Sequence, residues 1–391
     1  MTINTTTPKI MTMQDRPSGE ATYTDAGHTI EQVGQRLSMG VAERDRLGVL
    51  PPEVFEELRA SGLTALLVPV EVGGSGATFA ETGAMLRQLG RHDPATAVTL
   101  SMHTHLVAAQ VWRYHRAIPG AQAVLEKVVG GAVLISTGAS DWLPSNGTVT
   151  RVADGYRVSA RKSPASGCEA GQVLVTSARW EGGPDGPSVI HFAVPMNAPG
   201  VSIERTWDTL GLRASGSHTV VLQDVFVPDA AVSLIRPADR WHPVWNTVLG
   251  VALPLIMAAY LGIADRAATL ARASAAKASG PHALYQLGNV LNAHTIANDV
   301  VGAMLGEADN LRFDATDEYA ARTLSRKTVA AEAIIETVRL ALEVVGGCGF
   351  TRSHEMERLL RDAHGALFHP LPKGRQLLLS ANVALGLSPA G

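Results

Sequence analysis

The chain has 391 residues, of which 46% are hydrophobic and 18% charged, and its formal net charge is −3. This length allows two or three domains around a large core, and the scattered basic residues exclude a nucleic-acid-binding platform. The only two cysteines, Cys168 and Cys348, lack Cys-x-x-Cys spacing. This argues against a disulfide framework or a structural zinc site and is typical of a reducing cytoplasm.

The first part of the chain is predicted to be a leader followed by a helical domain. Residues 1–24 are polar, rich in threonine and without the apolar core of a signal peptide, so we expect a disordered leader. From residue 25 to residue 132, apolar residues recur at helical spacing. This pattern predicts an N-terminal helical domain.

A His-x-His pair, His103 and His105, lies in an apolar segment of this domain. On a helix, residues two positions apart point about 200° apart, so the two rings would not share one ion. No acidic or cysteine partner lies nearby in the sequence. We therefore predict no metal site here, with one of the two histidines buried and the other exposed.

Residues 133–235 change from helical to strand periodicity. Three segments rich in β-branched residues, 172–179, 189–194 and 218–223, are separated by turns that contain glycine and proline. Closely spaced strands without helices between them predict an antiparallel barrel or sandwich. No Gly-x-Gly-x-x-Gly follows a strand, so a nucleotide would have to bind in another way than in a Rossmann sheet.

Residues 236–391 return to helical patterns and form the third predicted domain. One apolar run, residues 247–264, approaches the length that crosses a membrane. It contains Gly250, Pro254 and Gly262 and is the only such run in the chain. We interpret it as a buried helix of a soluble bundle and expect no membrane association.

Two groups of motifs occur in the second half of the chain. Leu-Gly-Leu-Arg-Ala-Ser at residues 210–215 precedes Val-Phe-Val-Pro at 225–228, and Gly-Gly-Cys-Gly-Phe at 346–350 precedes Glu-Arg at 357–358 and Arg-Asp-Ala at 361–363. These motifs resemble those of the acyl-CoA dehydrogenase superfamily. The resemblance covers nearly the whole chain and implies an α+β fold. Its parts are an N-terminal helical domain, a central antiparallel β-barrel or sandwich and a C-terminal four-helix bundle. It also implies a homotetramer with flavin at the subunit interfaces.

The catalytic base of the family's dehydrogenases is missing from this sequence. Counted from the Arg-Asp-Ala motif, the residue at the position of the usual glutamate is Pro370. Some members carry the glutamate on the first helix of the C-terminal domain, and the matching residue is near Ala252. No acidic residue occurs between Trp241 and Ala264.

The residues near the expected flavin instead resemble the two-component monooxygenase branch of the superfamily. Serine and alanine in residues 161–167 replace the tryptophan and threonine of the dehydrogenases, and Ser166-Gly167 resembles the Ser-Gly pair of that branch. The branch uses oxygen and a reduced flavin that a separate reductase supplies. The resemblance places His103, Ser166 and His369 around the reactive edge of the flavin. Imidazoles suit this chemistry because it needs a proton donor and a base near neutral pH.

The resemblance also assigns flavin contacts to particular residues: Thr137, Gly138, Ser140, Ser166, Glu343, Gly346 and Gly347. The family's Arg-x-x-Phe-Gly element, which holds the dinucleotide phosphates, is absent from residues 272–286. The carboxylate of Glu343 would repel a pyrophosphate. The cofactor is therefore predicted to be a flavin, FAD or FMN, and FMN or a diffusible reduced flavin fits these changes better.

The sequence leaves three functions open. The first is a cytoplasmic flavin-dependent oxidoreductase, a monooxygenase that acts on a small organic substrate. The second is an acyl-CoA dehydrogenase whose base has moved to another helix. The third is a non-catalytic family member that binds flavin or an acyl group.

Overall fold

The computed structural model describes residues 30–138, 141–183, 185–278 and 280–391. The predicted leader, residues 1–24, and Ser140 lie outside these ranges. Within them, the chain runs from helices through strands to helices again. This order confirms the predicted fold class.

The N-terminal part is helical, and local sequence signals explain where two of its longer helices begin. Its helices are α1 (30–38 of the described residues), α2 (Val41–Leu47), α3 (Pro52–Ala60), α4 (Phe79–His92), α5 (Pro94–Tyr114) and α6 (Ala121–Val129). Thr78 and Glu81 form a capping box that starts α4. The Asp93 side chain accepts a hydrogen bond from the Thr96 N–H at the start of α5, where Pro94 is the first helical residue.

The central part consists of two four-stranded sheets. Its strands are β1 (Leu134–Ser136), β2 (Thr148–Val152), β3 (Gly155–Ala165), β4 (Val173–Trp180), β5 (Ser188–Pro195), β6 (Val201–Glu204), β7 (His218–Pro228) and β8 (Val232–Pro237). The strand orders are β1-β4-β5-β8 and β2-β3-β7-β6. The three predicted strands are present as β4, β5 and β7.

One pairing in this part differs from the predicted antiparallel arrangement. The chain enters the sheet from α6 through β1, which runs in the same direction as its neighbour β4, so this pair is parallel. The other described pairs are antiparallel. The described strands do not close into a barrel, so a pair of sheets is the correct alternative. The domain boundary predicted at residue 235 falls inside β8.

The C-terminal part is a bundle around one apolar helix. Its helices are α7 (Val244–Ala275), α8 (His282–Glu307), α9 (Asp317–Val345), α10 (Glu355–Ala363) and α11 (Lys373–Ala384). In the described chain, α7 is the one helix long and apolar enough to cross a membrane, but 89% of its most apolar window is buried inside the protein. It packs against α4, α5, α8 and α9. This is the environment of a core helix.

Two glycines bring α4 and α7 into backbone contact. A Cβ atom on Gly90 would lie 2.2 Å from the carbonyl oxygen of Ala259, and one on Gly262 would lie 2.1 Å from the carbonyl oxygen of Arg87. Both distances are too short for any side chain. The close approach fixes the N-terminal helices against the bundle, and the cavity described below lies between these parts.

We expect Gly262→Ala to destabilise the fold by about 1–3 kcal/mol, because the added methyl group forces two backbones apart. Chemical unfolding with circular dichroism would measure the loss. Gly302→Ala on α8 is the matched control, since a Cβ atom there meets nothing within 4 Å. An equal effect of the two substitutions would contradict this account of the helix contact.

The Arg-Asp-Ala motif ties three segments together beside the cavity. Arg361 pairs with Asp45 of α2 at 2.7 Å and with Glu357 at 2.7 Å. The Asp362 carboxylate accepts a hydrogen bond of 2.6 Å from the Leu212 N–H, and burial raises the pKa of Asp362 to about 7. The motif thus locks the segment before β7 against α10.

Candidate active site

A cavity of about 810 Å³ lies between α5, the loops after β1 and β3, the segment before β7, α7 and the stretch from α10 to α11. Much of its wall is apolar and comes from two helices: Val98 and Met102 of α5, and Val248, Leu249, Leu253 and Ile256 of α7. Four serines, Ser163, Ser166, Ser215 and Ser217, also line the cavity. A cavity of this size with few polar groups is typical of cofactor and small-molecule sites.

His369 faces this cavity with its ring nitrogens available. It lies in the loop between the turn His364–Leu367 and α11. Among the described residues, its ring makes an edge-to-face contact with Tyr260, with ring centroids 5.4 Å apart, and no hydrogen bond. Burial, with smaller effects of Lys327 and His105, lowers the pKa of His369 to about 3. The imidazole is therefore neutral at pH 7, whereas the sequence led us to expect titration near neutral pH.

Both positions where the family's dehydrogenases carry a catalytic glutamate open onto this cavity. Pro370 occupies one and Ala252 occupies the other. None of the described residues that line the cavity is aspartate or glutamate. A base relocated to another helix of the same chain is therefore not found among the cavity-lining residues described.

His103 is buried outside the cavity, and His105 lines the cavity instead. The Nε2–H of His103 donates to the Thr64 carbonyl oxygen at 2.9 Å, while Nδ1 accepts from the Leu134 N–H at 2.9 Å. Both nitrogens are thus used by the backbone. His105 donates from Nδ1 to the Ser101 carbonyl oxygen at 3.3 Å, and burial lowers its pKa to about 4. The prediction that one of the pair is exposed is wrong, because both are buried in the packing of α5.

The spacing of residues along α5 could have indicated that His105, and not His103, faces the cavity. Val98, Met102 and His105 follow one another at spacings of four and three, so they share one face of α5. That face is the one on the cavity. His103 lies on another face, which packs toward Thr64 and Leu134. Of the two, His105 is the residue that the structure brings close to His369.

The predicted flavin-binding residues Thr137, Gly138 and Ser166 all line the cavity. The Ser166 hydroxyl accepts a hydrogen bond from Ser217 at 2.9 Å. Ser140 lies outside the described residues. The remaining three predicted contacts, Glu343, Gly346 and Gly347, are at the end of α9 and do not line this cavity.

A buried polar cluster holds the side chain of Thr137. The Thr137 hydroxyl donates to Asp141 at 2.9 Å, and the Lys162 ammonium donates to the other Asp141 oxygen at 2.8 Å. The Lys162 side chain is 0% exposed. A buried lysine needs such a partner, because an unpaired charge in the interior is costly. The sequence did not indicate this pair.

The cavity fits a flavin. Its apolar walls suit the flat face of a heteroaromatic ring, and the hydroxyl groups of Ser166 and Ser217 suit a polar ring edge. Of the two small residues that the resemblance places where the dehydrogenases carry larger side chains, Ser163 lines the cavity, whereas Ala165 is buried and does not line it. Thr137, Gly138, Ser163 and Ser166 are the residues that would hold the ring.

Two features of the site were not visible in the sequence. Tyr260 is 0% exposed, and its hydroxyl has no hydrogen-bond partner in the described structure. Its ring packs against His369. Lys327 is 2% exposed, and its ammonium has only the Leu371 carbonyl oxygen, at 3.4 Å, as a partner among the described residues. Burial lowers the pKa of Lys327 to about 8.

Comparisons with known proteins agree with the fold and with the character of the site. The sequence models of the acyl-CoA dehydrogenase N-terminal and C-terminal domains match residues 29–117 and 247–368, together more than half of the chain. The amino sugar nitrososynthase DnmZ of Streptomyces peucetius is 26% identical over 88% of this chain and 89% of its own length. The isobutylamine N-hydroxylase of Streptomyces viridifaciens is 27% identical over 81% of this chain and 85% of its own.

A solved structure extends this similarity to a flavin complex. KijD3, in complex with FMN and dTDP-3-amino-2,3,6-trideoxy-4-keto-3-methyl-D-glucose, superposes with a TM-score of 0.81 at 27% identity. The match covers 96% of this chain and 95% of KijD3.

Proposed function

The chain belongs to the acyl-CoA dehydrogenase superfamily and is a flavin-dependent oxidoreductase, and we propose that it is a monooxygenase that uses reduced FMN and oxygen. Its proposed substrate is a small, largely apolar molecule, and the atom oxygenated is an amine nitrogen. The relatives named as a nitrososynthase and an N-hydroxylase, and the FMN complex of KijD3, support this choice.

The observation that carries the proposal is the chemistry of the cavity wall. Removal of a proton next to a thioester needs a carboxylate beside the flavin, and Pro370 and Ala252 occupy both family positions for it. In their place, the neutral ring of His369 faces the cavity without a described hydrogen-bond partner. This arrangement disfavours acyl-CoA dehydrogenation and leaves a group suited to oxygen chemistry.

The residues of the chain have defined tasks in this reaction. Reduced FMN, when bound, supplies the electrons that activate oxygen. A neutral imidazole carries one N–H donor and one acceptor nitrogen, so His369 can donate a hydrogen bond to a reacting oxygen atom and hold that proton in place. His105 extends the polar edge on the α5 side, and the apolar walls exclude water.

The cavity also selects the reactive form of an amine. An ammonium group buried among apolar side chains without a carboxylate loses its hydration and gains no ion pair, so its pKa falls. A primary amine that enters this cavity is therefore favoured in its neutral form, which carries the nucleophilic lone pair. Neutral histidines at His105 and His369 add no positive charge and can accept a hydrogen bond from its N–H.

We also propose that the protein is soluble and cytoplasmic and that a separate flavin reductase supplies its reduced FMN. The proposal also includes a homotetramer, in which the α9 end of one copy lies near the flavin of another. The exposed Phe350 ring, 77% exposed, and the open space around Gly346 and Gly347 support a surface that a second copy covers. Size-exclusion chromatography with light scattering would measure the number of copies.

The direct test mixes the protein and photoreduced FMN with oxygenated buffer. We expect hydrogen peroxide release to lag behind oxygen uptake, whereas free reduced FMN shows no lag. Addition of n-butylamine or n-hexylamine should divert oxygen into a hydroxylamine or nitroso product, measured by mass spectrometry. Peroxide release without a lag, together with bleaching of bound oxidised flavin by butyryl-CoA, would favour the dehydrogenase. Failure to bind flavin would favour a non-catalytic protein.

A further inference from the structure

A second cavity of about 420 Å³ adjoins the one that holds the candidate active site. The two share Trp142, Leu371 and Arg375 as wall residues. The rest of the second wall is mostly apolar and includes Trp241, Leu378 and Pro389. Trp142 stacks on Trp245 with ring centroids 5.2 Å apart, which gives the shared wall a fixed aromatic surface.

Arg375 differs in its contacts from the other arginine on the main cavity. The guanidinium of Arg361 is held by Asp45 and Glu357. Arg375 lies in the first turn of α11 and is exposed. Its guanidinium makes no ion pair and no side-chain hydrogen bond with any described residue, although Lys373 in the same turn pairs with Glu332.

Neither cavity has a carboxylate among its described lining residues. The arginine therefore contributes an uncompensated positive charge at the place where the two apolar cavities meet. An arginine presents its N–H donors as a planar fork that matches a carboxylate or a phosphate.

We propose that Arg375 binds an anionic group, a phosphate or a carboxylate, of a ligand whose body lies in the main cavity. The proposal rests on the proposed function, since it gives that site a ligand with one anionic end. Two sources share this chemistry. One is the phosphate of FMN, and the other is a terminal anionic group of the organic substrate, whose apolar part would lie against Trp142.

The experiment measures binding of four probes to the purified flavin-free protein and to Arg375→Gln. Oxidised FMN and riboflavin differ only in the phosphate and are followed by flavin fluorescence. Octanoate and 1-octanol have the same chain length but end in a carboxylate and a hydroxyl group, respectively, and their binding is followed by calorimetry. Lys373→Gln is the matched control, because it removes one positive charge from the same turn of α11 outside both cavities.

If Arg375 holds the flavin phosphate, Arg375→Gln weakens FMN binding about tenfold or more and leaves riboflavin unchanged. If Arg375 instead holds the substrate anion, Arg375→Gln weakens the binding of octanoate by a similar factor. The affinities for 1-octanol and for both flavins then stay unchanged. Equal losses for charged and uncharged probes, or no loss for any of them, would overturn the proposal. Absence of flavin binding to the unaltered protein would instead reject the proposed function, and the octanoate pair would still test Arg375.

Discussion

Replacement of His369 by alanine is expected to reduce the rate of oxygenated product formation by about 10²- to 10⁴-fold, the usual range for loss of a positioned proton-transfer group. The ring faces the cavity and has no hydrogen-bond partner among the described residues, so its N–H is free for the reacting oxygen. Binding of FMN should change little, because Thr137, Gly138 and Ser166 remain. The loss should therefore appear in turnover and not in flavin affinity.

The measurement is single-turnover product yield per bound reduced FMN, with the lag in peroxide release recorded in parallel. We expect the lag to shorten in His369→Ala. His103→Ala is the comparison variant: it leaves the Leu134 N–H and the Thr64 carbonyl oxygen unpaired in the interior, so it should lower stability and preserve yield per bound flavin. The reverse result, with yield lost in His103→Ala and kept in His369→Ala, would refute this assignment of roles.

The sequence predicted the parts of the fold that depend on local patterns. Apolar residues at helical spacing predicted an N-terminal helical domain, and the apolar run at residues 247–264, predicted to be a buried helix, lies within α7. The motif at residues 361–363 located the segment that leads to His369. In each case the residues that carry the signal are close together in the chain, so periodicity and local motifs are sufficient.

The parts that failed depend on contacts between distant residues. The sequence could not show that β1 pairs with β4 in a parallel arrangement or that Lys162 meets Asp141. The resemblance selected His103, whereas the orientation of α5 places His105 on the cavity, and the catalytic role of either residue remains a prediction. The low pKa of His369 also depends on burial, which a sequence does not state.

Lys327→Met is expected to stabilise the fold at pH 7, because it removes a buried charge that has no described carboxylate partner. Burial lowers the pKa of this ammonium from 10.5 to about 8. At about 1.4 kcal/mol per pKa unit, the charge destabilises the native state by about 3–4 kcal/mol. The methionine side chain has a similar length and keeps the packing. Lys127→Met, on the exposed side of α6, is the matched control and should change stability by less than about 0.5 kcal/mol.

The pH dependence gives this prediction a definite sign. Between pH 8 and pH 10.5 the unfolded chain binds the Lys327 proton and the native state does not, so the stability of the unaltered protein rises with pH across this window. The advantage of Lys327→Met should be complete below pH 8 and disappear above pH 10.5. Unfolding midpoints of both proteins at pH 7 and near pH 10 would measure this difference in stability. A stabilisation by Lys327→Met of equal size at both pH values would contradict the assignment of the cost to the buried charge.

The same substitution should alter the active site. The ammonium of Lys327 helps to hold the pKa of His369 low, so its removal should raise that pKa toward the ordinary value for histidine. If neutral His369 is required, product yield falls as pH drops through this pKa, and the fall should begin at a higher pH in Lys327→Met than in the unaltered protein. A more stable but more acid-sensitive enzyme would explain why the chain keeps a costly buried lysine whose charge acts on the imidazole. An unchanged pH profile would mean that desolvation alone sets the state of His369.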